Sequence, residues 1–137
     1  RGFNYRMNEL EGAIGIAQLS KIEHIFYMQK NNKKYIIESI NDLVPCLRPH
    51  HDSDGEIGDT LVFKFQDTDE ALKFSEYLDS RNLFQKILPC ALGWHFLDSA
   101  HSITKVKLQQ HVAIPIGVRM DLSKHVRILR DAFGLIR

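Results

Sequence analysis

The sequence predicts an α+β fold, in which a long N-terminal helix precedes a small antiparallel or mixed sheet covered by two further helices. Apolar residues recur near the helical period from residue 10 to residue 40, and the segments at 60–65 and 111–117 alternate as strands do. An amphipathic segment follows each of these two strand patterns, so helices and strands mix within 137 residues. That mixture is typical of an α+β unit.

The first helix is predicted to begin at a capping box. Asn8 is a good N-cap, and Glu11 stands three residues further on, where its carboxylate can reach the backbone N–H of the cap. Gly12 and Gly15 lower helix propensity, so we interpret them as points of close approach to another backbone. The helical pattern continues as far as Pro45, and a helix of that length is expected to kink or to bridge two structural units. One apolar stripe is expected along it, formed by Leu10, Ala13, Ile14, Ala17, Leu19, Ile22, Ile25 and Phe26.

The middle of the chain predicts a loop, a strand, a helix and a second strand. Residues 45–59 have the proline, glycine and polar content of a loop, and TLVFKF at 60–65 predicts a half-exposed strand. Residues 67–69 can cap a helix that ends near Asn82, and FQKIL at 84–88 predicts a short strand. The inner face of that helix is expected to consist of Ala71, Leu72, Phe74, Ser75 and Leu78.

The last part of the chain predicts one more strand and one more helix. The segment at 89–102, PCALGWHFLDSAHS, has no clear period and stays unassigned. HVAIPIG at 111–117 predicts a strand, and residues 121–136 predict a closing helix. Its inward residues are expected to be Val126, Leu129 and Phe133.

Composition narrows the classes of partner. The formal net charge is +1, which is not the basic footprint of a nucleic-acid-binding protein, so we expect no nucleic-acid partner. We expect no membrane partner either, because no apolar run approaches the roughly 20 residues that span a bilayer. Cys46 and Cys90 lie far apart without a C-x-x-C pair, which fits the reducing cytoplasm. The first seven residues include a glycine, an asparagine, two aromatic residues and two arginines, and the first of them is not Met. We therefore expect the chain to begin inside a longer protein.

Two histidine-containing segments are candidates for chemistry. HHDSDGE at 50–56 carries possible metal ligands, but its spacing matches neither H-E-x-x-H nor the calcium-binding loop, so a solvated turn without metal is expected. In GWHFLDSAHS, His95 could bind a ligand or exchange protons, with Asp98 and His101 nearby. The alternative is that Trp94 packs and the histidine is incidental. No complete catalytic set is found in the sequence.

The opening segment is the third candidate. Asn4 offers an amide and Arg6 a guanidinium fork, and both precede a helix N-terminus that favours anions. These two side chains suit a phosphate group, because the guanidinium can bind two of its oxygens while the amide fixes its orientation. An arginine paired with a carboxylate within the loop is the alternative.

GFNYRMNELEGAIGIAQLSKIEH closely resembles a segment of the DegT/DnrJ/EryC1/StrS family of pyridoxal-phosphate-dependent sugar aminotransferases. The likeness is strongest from Gly2 to Leu19 and continues as a pattern similar to the C-terminal domain of fold-type I aminotransferases. It implies that residues 1–40 are the linker loop and long helix at the junction of a large and a small domain. Residues 41–137 would be the small C-terminal α/β domain.

The resemblance also implies roles for individual residues. The N-terminal loop and helix would form a homodimer in which Asn4 contacts the cofactor phosphate of the neighbouring subunit. Arg6 would support that loop or meet a substrate or cofactor anion. His95 is the best match for a histidine that approaches the substrate, and His101 is the reserve.

The implied reaction passes an amino group from glutamate to a keto- or aldehydo-sugar, either nucleotide-linked or a sugar acid such as an oxidised octulosonate. Such reactions serve amino-sugar and cell-surface polysaccharide synthesis, including lipopolysaccharide. The cofactor-binding lysine belongs to the family's upstream domain, so we expect no catalytic residue here and no activity from this chain alone. Two alternatives stay open: a non-catalytic α+β protein-interaction module, and a sugar dehydratase of the same family with His in place of that lysine.

Overall fold

The computed structural model describes residues 8–43, 52, 55–86 and 102–136. These contain five helices and two strands, which confirms the α+β class. The helices are α1 Glu9–Leu19, α2 Ile22–Ile40, α3 Thr68–Ser80, α4 Ser102–Gln109 and α5 Leu122–Ile136, and the strands are β1 Thr60–Lys64 and β2 His111–Pro115.

The long N-terminal helix is interrupted, as its length led us to expect. The break between α1 and α2 falls at Ser20 and Lys21. The Ser20 hydroxyl donates to the carbonyl oxygen of Ala17 at 3.0 Å, a local bond of the kind that competes with continued helix. The predicted capping box is present: Glu11 N donates to Asn8 Oδ1 at 2.8 Å, and Asn8 N donates to Glu11 Oε2 at 3.0 Å.

The apolar residues of α1 do not form the single stripe predicted for them. At 100° per residue Leu19 lies on the side opposite Leu10, because nine residues span two and a half turns. No residue of α1 is buried, and the side chains of Leu10 and Ile16 are 70% and 72% exposed. A side chain at Gly15 would meet nothing within 4 Å in the described part of this chain. Close approach of another backbone therefore stays a prediction, and it concerns a second molecule or a part of the protein beyond the described residues.

The sheet is antiparallel. β1 and β2 pair in the register Thr60 with Pro115 through Lys64 with His111. Lys86 adds an isolated bridge to Ala113, its N–H donating to the Ala113 carbonyl at 2.7 Å. Of the strand predicted at 84–88, Lys86 pairs with the sheet, whereas the described residues Phe84 and Gln85 are not in a strand, and residues 87 and 88 lie outside the described residues.

Helix α3 begins and ends close to its predicted bounds. Asp67 Oδ1 accepts from Glu70 N at 2.8 Å as the N-cap. The turn after α3 passes through Asn82 in the left-handed conformation, with φ of 54°. Leu72 was predicted to face inward but is 54% exposed. The residues of α3 that are buried are Ala71, Phe74 and Leu78.

Helix α4 was not predicted. Its apolar residues Ile103 and Val106 are 71% and 50% exposed, so no buried stripe marked it in the sequence. The closing helix α5 matches its prediction, with Asp121 Oδ1 accepting from Lys124 N at 2.9 Å. Leu129 and Phe133 are buried, and Val126 is half-buried against the core.

Four phenylalanines form the centre of the core. The ring of Phe74 on α3 lies 4.8 Å from that of Phe133 on α5 and 5.5 Å from that of Phe63 on β1. Phe65 completes the group, 5.0 Å from Phe74. These rings join the sheet to α3 and α5, and Ile36 and Ile40 add the second half of α2 to the same core. The predicted division of the chain after residue 40 stays a prediction.

Candidate functional site

The four predicted site residues, Asn4, Arg6, His95 and His101, lie outside the described residues. The structure describes the elements beside them. Helix α1 begins shortly after the opening motif, and α4 begins directly after His101.

The N-terminus of α1 is a poorer anion site than its helical character alone implies. The capping box occupies the N–H of Glu11, and the N–H of Gly12 donates to the Asn8 carbonyl at 3.0 Å. The first turn also carries two carboxylates, on Glu9 and Glu11. These negative charges use the favourable end of the helix dipole. A phosphate bound nearby therefore needs positive charge from a side chain, and Arg6 is the arginine of the opening motif.

Two amide side chains of α2 bind the backbone that leaves β2. Asn32 is 7% exposed, and its Nδ2 donates to the carbonyl oxygens of Gly117 at 2.8 Å and Val118 at 3.3 Å. Gln29 Nε2 donates to the Ile116 carbonyl at 2.9 Å. These bonds satisfy carbonyls that have no strand partner there. Sequence reasoning missed both residues, because nothing in the run QKNNKK distinguishes a buried amide from a solvated one.

An ion pair between a buried lysine and a half-exposed glutamate lies beside these amides. Lys33 Nζ is 2.7 Å from Glu56 Oε2, with the two side chains 3% and 25% exposed. Gly58 packs directly on the α2 backbone at φ of +81°, where a Cβ would lie 2.8 Å from Lys30 N. The segment before β1 is therefore held against the same stretch of α2 as the segment after β2.

The predicted solvated turn at 50–56 is described only in part. Glu56 pairs with Lys33 and is only half-exposed, whereas Asp52 is exposed and its Oδ1 accepts from Gly55 N at 2.9 Å. Among the described residues no group of three possible metal ligands converges. The absence of a metal from this segment stays a prediction.

A cavity of about 610 Å³ opens between α3, α4 and β2. Gln85 in its wall is bonded to α3: its Nε2 donates to the backbone carbonyl oxygen of Ser75 at 2.9 Å and to Asp79 Oδ1 at 2.8 Å. Lys86 Nζ lies 2.6 Å from Asp59 Oδ2 and also contacts Thr60 Oγ1. The hydrogen bond from Lys86, assisted by its charge, holds the pKa of Asp59 below its ordinary value against the opposing effect of partial burial. These polar contacts connect α3, the segment after it and the start of β1.

No described helix combines the length and the apolar character needed to cross a membrane.

Comparison with known protein families identifies the family of the chain. The sequence model of the DegT/DnrJ/EryC1/StrS aminotransferase family matches residues 1–91, more than half of the chain. The match includes the opening motif and continues through α1, α2, β1 and α3. It confirms the resemblance seen in GFNYRMNELEGAIGIAQL and indicates an aminotransferase-like protein, of a kind generally dependent on pyridoxal phosphate. The chain therefore belongs to the DegT/DnrJ/EryC1/StrS aminotransferase family.

Proposed function

We propose that this chain is the small C-terminal domain of a pyridoxal-phosphate-dependent sugar aminotransferase. The reaction passes an amino group from glutamate to a keto- or aldehydo-sugar, nucleotide-linked or a sugar acid, in amino-sugar or cell-surface polysaccharide synthesis. The observation that carries the proposal is the family match over residues 1–91, because it includes the motif with Asn4 and Arg6.

The opening side chains suit the phosphate of the cofactor. An arginine fork and an amide bind phosphate oxygens well, and the two carboxylates in the first turn of α1 leave Arg6 as the source of positive charge. Asn4 and Arg6 bind and orient the phosphate, and His95 or His101 contacts the sugar. Pyridoxal phosphate, when bound, supplies the electron sink that aminotransfer requires. Because the lysine that holds it covalently belongs to another domain, this chain alone has no turnover.

The exposed surface of α1 supports a homodimer formed through the N-terminal loop and helix. An isolated helix of 11 residues is marginal in water, and α1 buries none of its side chains in the described part of the chain. Leu10 and Ile14 lie on one side, whereas Leu19 lies on the opposite side, and all three are more than half exposed. Apolar residues on both sides of a helix favour cover by other parts of the protein. Cover by a second subunit brings the preceding motif to that subunit's cofactor.

The first test is the visible absorbance of the complete natural protein with pyridoxal phosphate. We expect glutamate to remove the band of the bound cofactor and a keto-sugar to restore it. A flat response from a folded, cofactor-supplemented protein would contradict the proposal and favour the interaction module. A change with sugar that needs no glutamate would favour the dehydratase.

Variants of the opening motif test the phosphate site. Arg6→Ala is expected to weaken cofactor binding about 10- to 100-fold, the value of one charge-assisted hydrogen-bonding side chain. The control is Arg127→Ala, which removes an exposed arginine on α5 and is expected to leave binding unchanged. Equal losses in the two variants would count against a phosphate role for Arg6.

Subunit mixing tests whether the site is shared. With limiting cofactor, Arg6→Ala subunits are expected to have low activity, and subunits lacking the cofactor-binding lysine are expected to have none. In a mixed dimer the intact lysine site receives Arg6 from its neighbour, so activity is expected to return. If Arg6 acts within its own subunit, the activity of the mixture stays at the level of the Arg6→Ala protein.

A further inference from the structure

Helix α2 changes its surroundings along its length. Its C-terminal half is packed in the core through Ile36 and Ile40, which are 1% and 0% exposed. Its first residues are exposed or half-buried, and α1 beyond them has no buried residue. Burial therefore falls along α2 toward its N-terminus, and the bonds described above between α2 and the segment after β2 reach no further than Gln29. From there toward the N-terminus the helices form an arm, by which we mean residues 8–28.

Apolar packing alone does not fix the direction of such an arm. Contacts of Ile36 and Ile40 are non-directional, so they tolerate small rotations and translations of α2. Hydrogen bonds from Gln29 to Ile116 and from Asn32 to Gly117 and Val118 are directional, and they are made to backbone carbonyls whose places are set by β2. Buried polar contacts of this kind can specify one arrangement among several of similar packing energy.

Gly58 adds a steric limit on the opposite segment. A Cβ there would lie 2.8 Å from Lys30 N and 3.1 Å from the carbonyl carbon of Gln29, so backbone meets backbone. On the side of β2, α2 is thus held by hydrogen bonds from its side-chain amides. On the side of β1, it is held by direct backbone contact at Gly58. Lys33 and Glu56 close the same region with their ion pair at 2.7 Å.

We propose that Gln29 and Asn32 are positioning residues that set the direction in which the arm leaves the rest of the chain. The link to catalysis rests on the proposed function, because the arm leads to Asn4 and Arg6. From Gln29 back to Glu9 the helical chain spans up to about 30 Å at a rise of roughly 1.5 Å per residue. A tilt of about 10° at the base therefore displaces the far end by about 5 Å.

Distance measurement tests the proposal in the complete natural protein. Spin labels are introduced as non-natural amino acids at Gln18 on the arm and Lys124 on α5, both exposed, so that Cys46 and Cys90 stay in place. Labelled subunits are diluted with unlabelled protein so that only distances within one subunit are recorded.

Asn32→Ala is expected to shift or broaden the distribution of distances by about 3 Å, because Gln18 lies about 16 Å along the arm from Gln29 and a tilt of about 10° displaces it by that much. Its matched control is Asn31→Ala, because Asn31 is the exposed neighbour with the same side chain, and no change is expected there. Asn32→Gln keeps an amide donor and is expected to lie closer to wild type than the alanine variant does. Where Asn32→Ala does not fold, Gln29→Ala and Gly58→Ala are judged by the same distances.

A lowered melting temperature with an unchanged distance distribution would overturn the proposal, because Asn32 would then stabilise the fold without directing the arm. Cofactor affinity is the second readout: we expect about a 10-fold loss in Asn32→Ala and none in Asn31→Ala, since misplacement by a few ångströms weakens an oriented site. An affinity unchanged beside a shifted arm would overturn the link to catalysis. If the wild-type protein binds no pyridoxal phosphate, the proposed function fails, and the distances still decide the role of Asn32.

Discussion

Asn31 and Asn32 are identical neighbours on α2, and so are Lys33 and Lys34, yet each pair contains residues in opposite surroundings. Asn32 and Lys33 are buried, whereas Asn31 and Lys34 are exposed. The helical period rotates each successive residue by about 100°, so the face and not the residue type decides. Inside, Lys33 has a partner, because its Nζ lies 2.7 Å from Glu56 Oε2.

Removal of the Glu56 carboxylate tests the ion pair that it forms with Lys33. Glu56→Met leaves a 3%-exposed ammonium without its carboxylate, and we expect a loss of about 2 to 3 kcal/mol in unfolding free energy. Glu38→Met is the control, because the Lys34–Glu38 pair is 3.9 Å apart and mostly exposed, and we expect a loss below about 0.5 kcal/mol. Urea unfolding measures both. Similar losses would contradict the prediction.

Asp59 makes the free energy of unfolding depend on pH in the acid range. Because Lys86 lowers the pKa of Asp59 in the folded chain, the stabilisation is present at neutral pH and disappears as pH falls below about 4. We expect Asp59→Asn to lose stability at pH 7 and to show a shallower decline between about pH 5 and pH 2. Lys86→Met should remove most of the same part of the decline, since the hydrogen bond and the charge of Lys86 are the main causes that lower this pKa. A decline as steep as wild type in both variants would assign the acid sensitivity to other groups.

At the scale of elements, local signals predicted most of the fold. The caps Asn8 and Asp67 marked helix starts, and the alternation at 60–65 and 111–117 marked the paired strands. Helix α4 was missed because its apolar residues are exposed, so burial left no period in its sequence. Gln29 and Asn32 were missed for a related reason: a buried amide and a solvated amide are written with the same letter. The motif with Asn4 and Arg6 was visible as a family resemblance, whereas the pattern of its residues alone left its ligand open.

The cap of α1 has a measurable role. Asn8→Ala is expected to cost about 1 kcal/mol of helix stability, which corresponds to about a fivefold faster amide exchange in α1. Exchange in α3 should not change, because its cap is Asp67. The converse variant Asp67→Ala is expected to affect α3 and spare α1. Uniform exchange rates across both variants would show that neither cap limits local opening.

On the scale of the whole molecule, one aromatic group joins elements from distant parts of the chain. Phe63, Phe74 and Phe133 belong to β1, α3 and α5, and their ring centres lie within 5.5 Å of one another. Contacts across this group hold the sheet and its covering helices as one unit. The arm contributes none of its side chains to this group. Substitutions in the aromatic group should therefore affect the stability of the core without acting directly on α1.

Phe74→Ala tests how much this aromatic group contributes to stability. Removal of a fully buried ring is expected to cost about 3 to 5 kcal/mol, through lost burial and the cavity left behind. Phe84→Ala is the control, because Phe84 is 69% exposed, and we expect a loss below about 1 kcal/mol. Thermal unfolding followed by near-ultraviolet circular dichroism measures both. A small loss for Phe74→Ala would mean that the core can repack around the gap.

The pairing of β1 with β2 also determines how long β1 lacks its partner strand during synthesis. Thr60 on β1 pairs with Pro115 on β2, and about 50 residues between them take a ribosome about 3 to 10 s to add. Throughout that interval Phe63 and Phe65 have emerged before their partner strand, and Phe133 follows later still. For several seconds, therefore, α1 and α3 can form from local contacts while the aromatic side chains of β1 have no partner strand. Unpaired apolar strands are prone to aggregate, so this is the period in which binding by a chaperone would protect the nascent chain most.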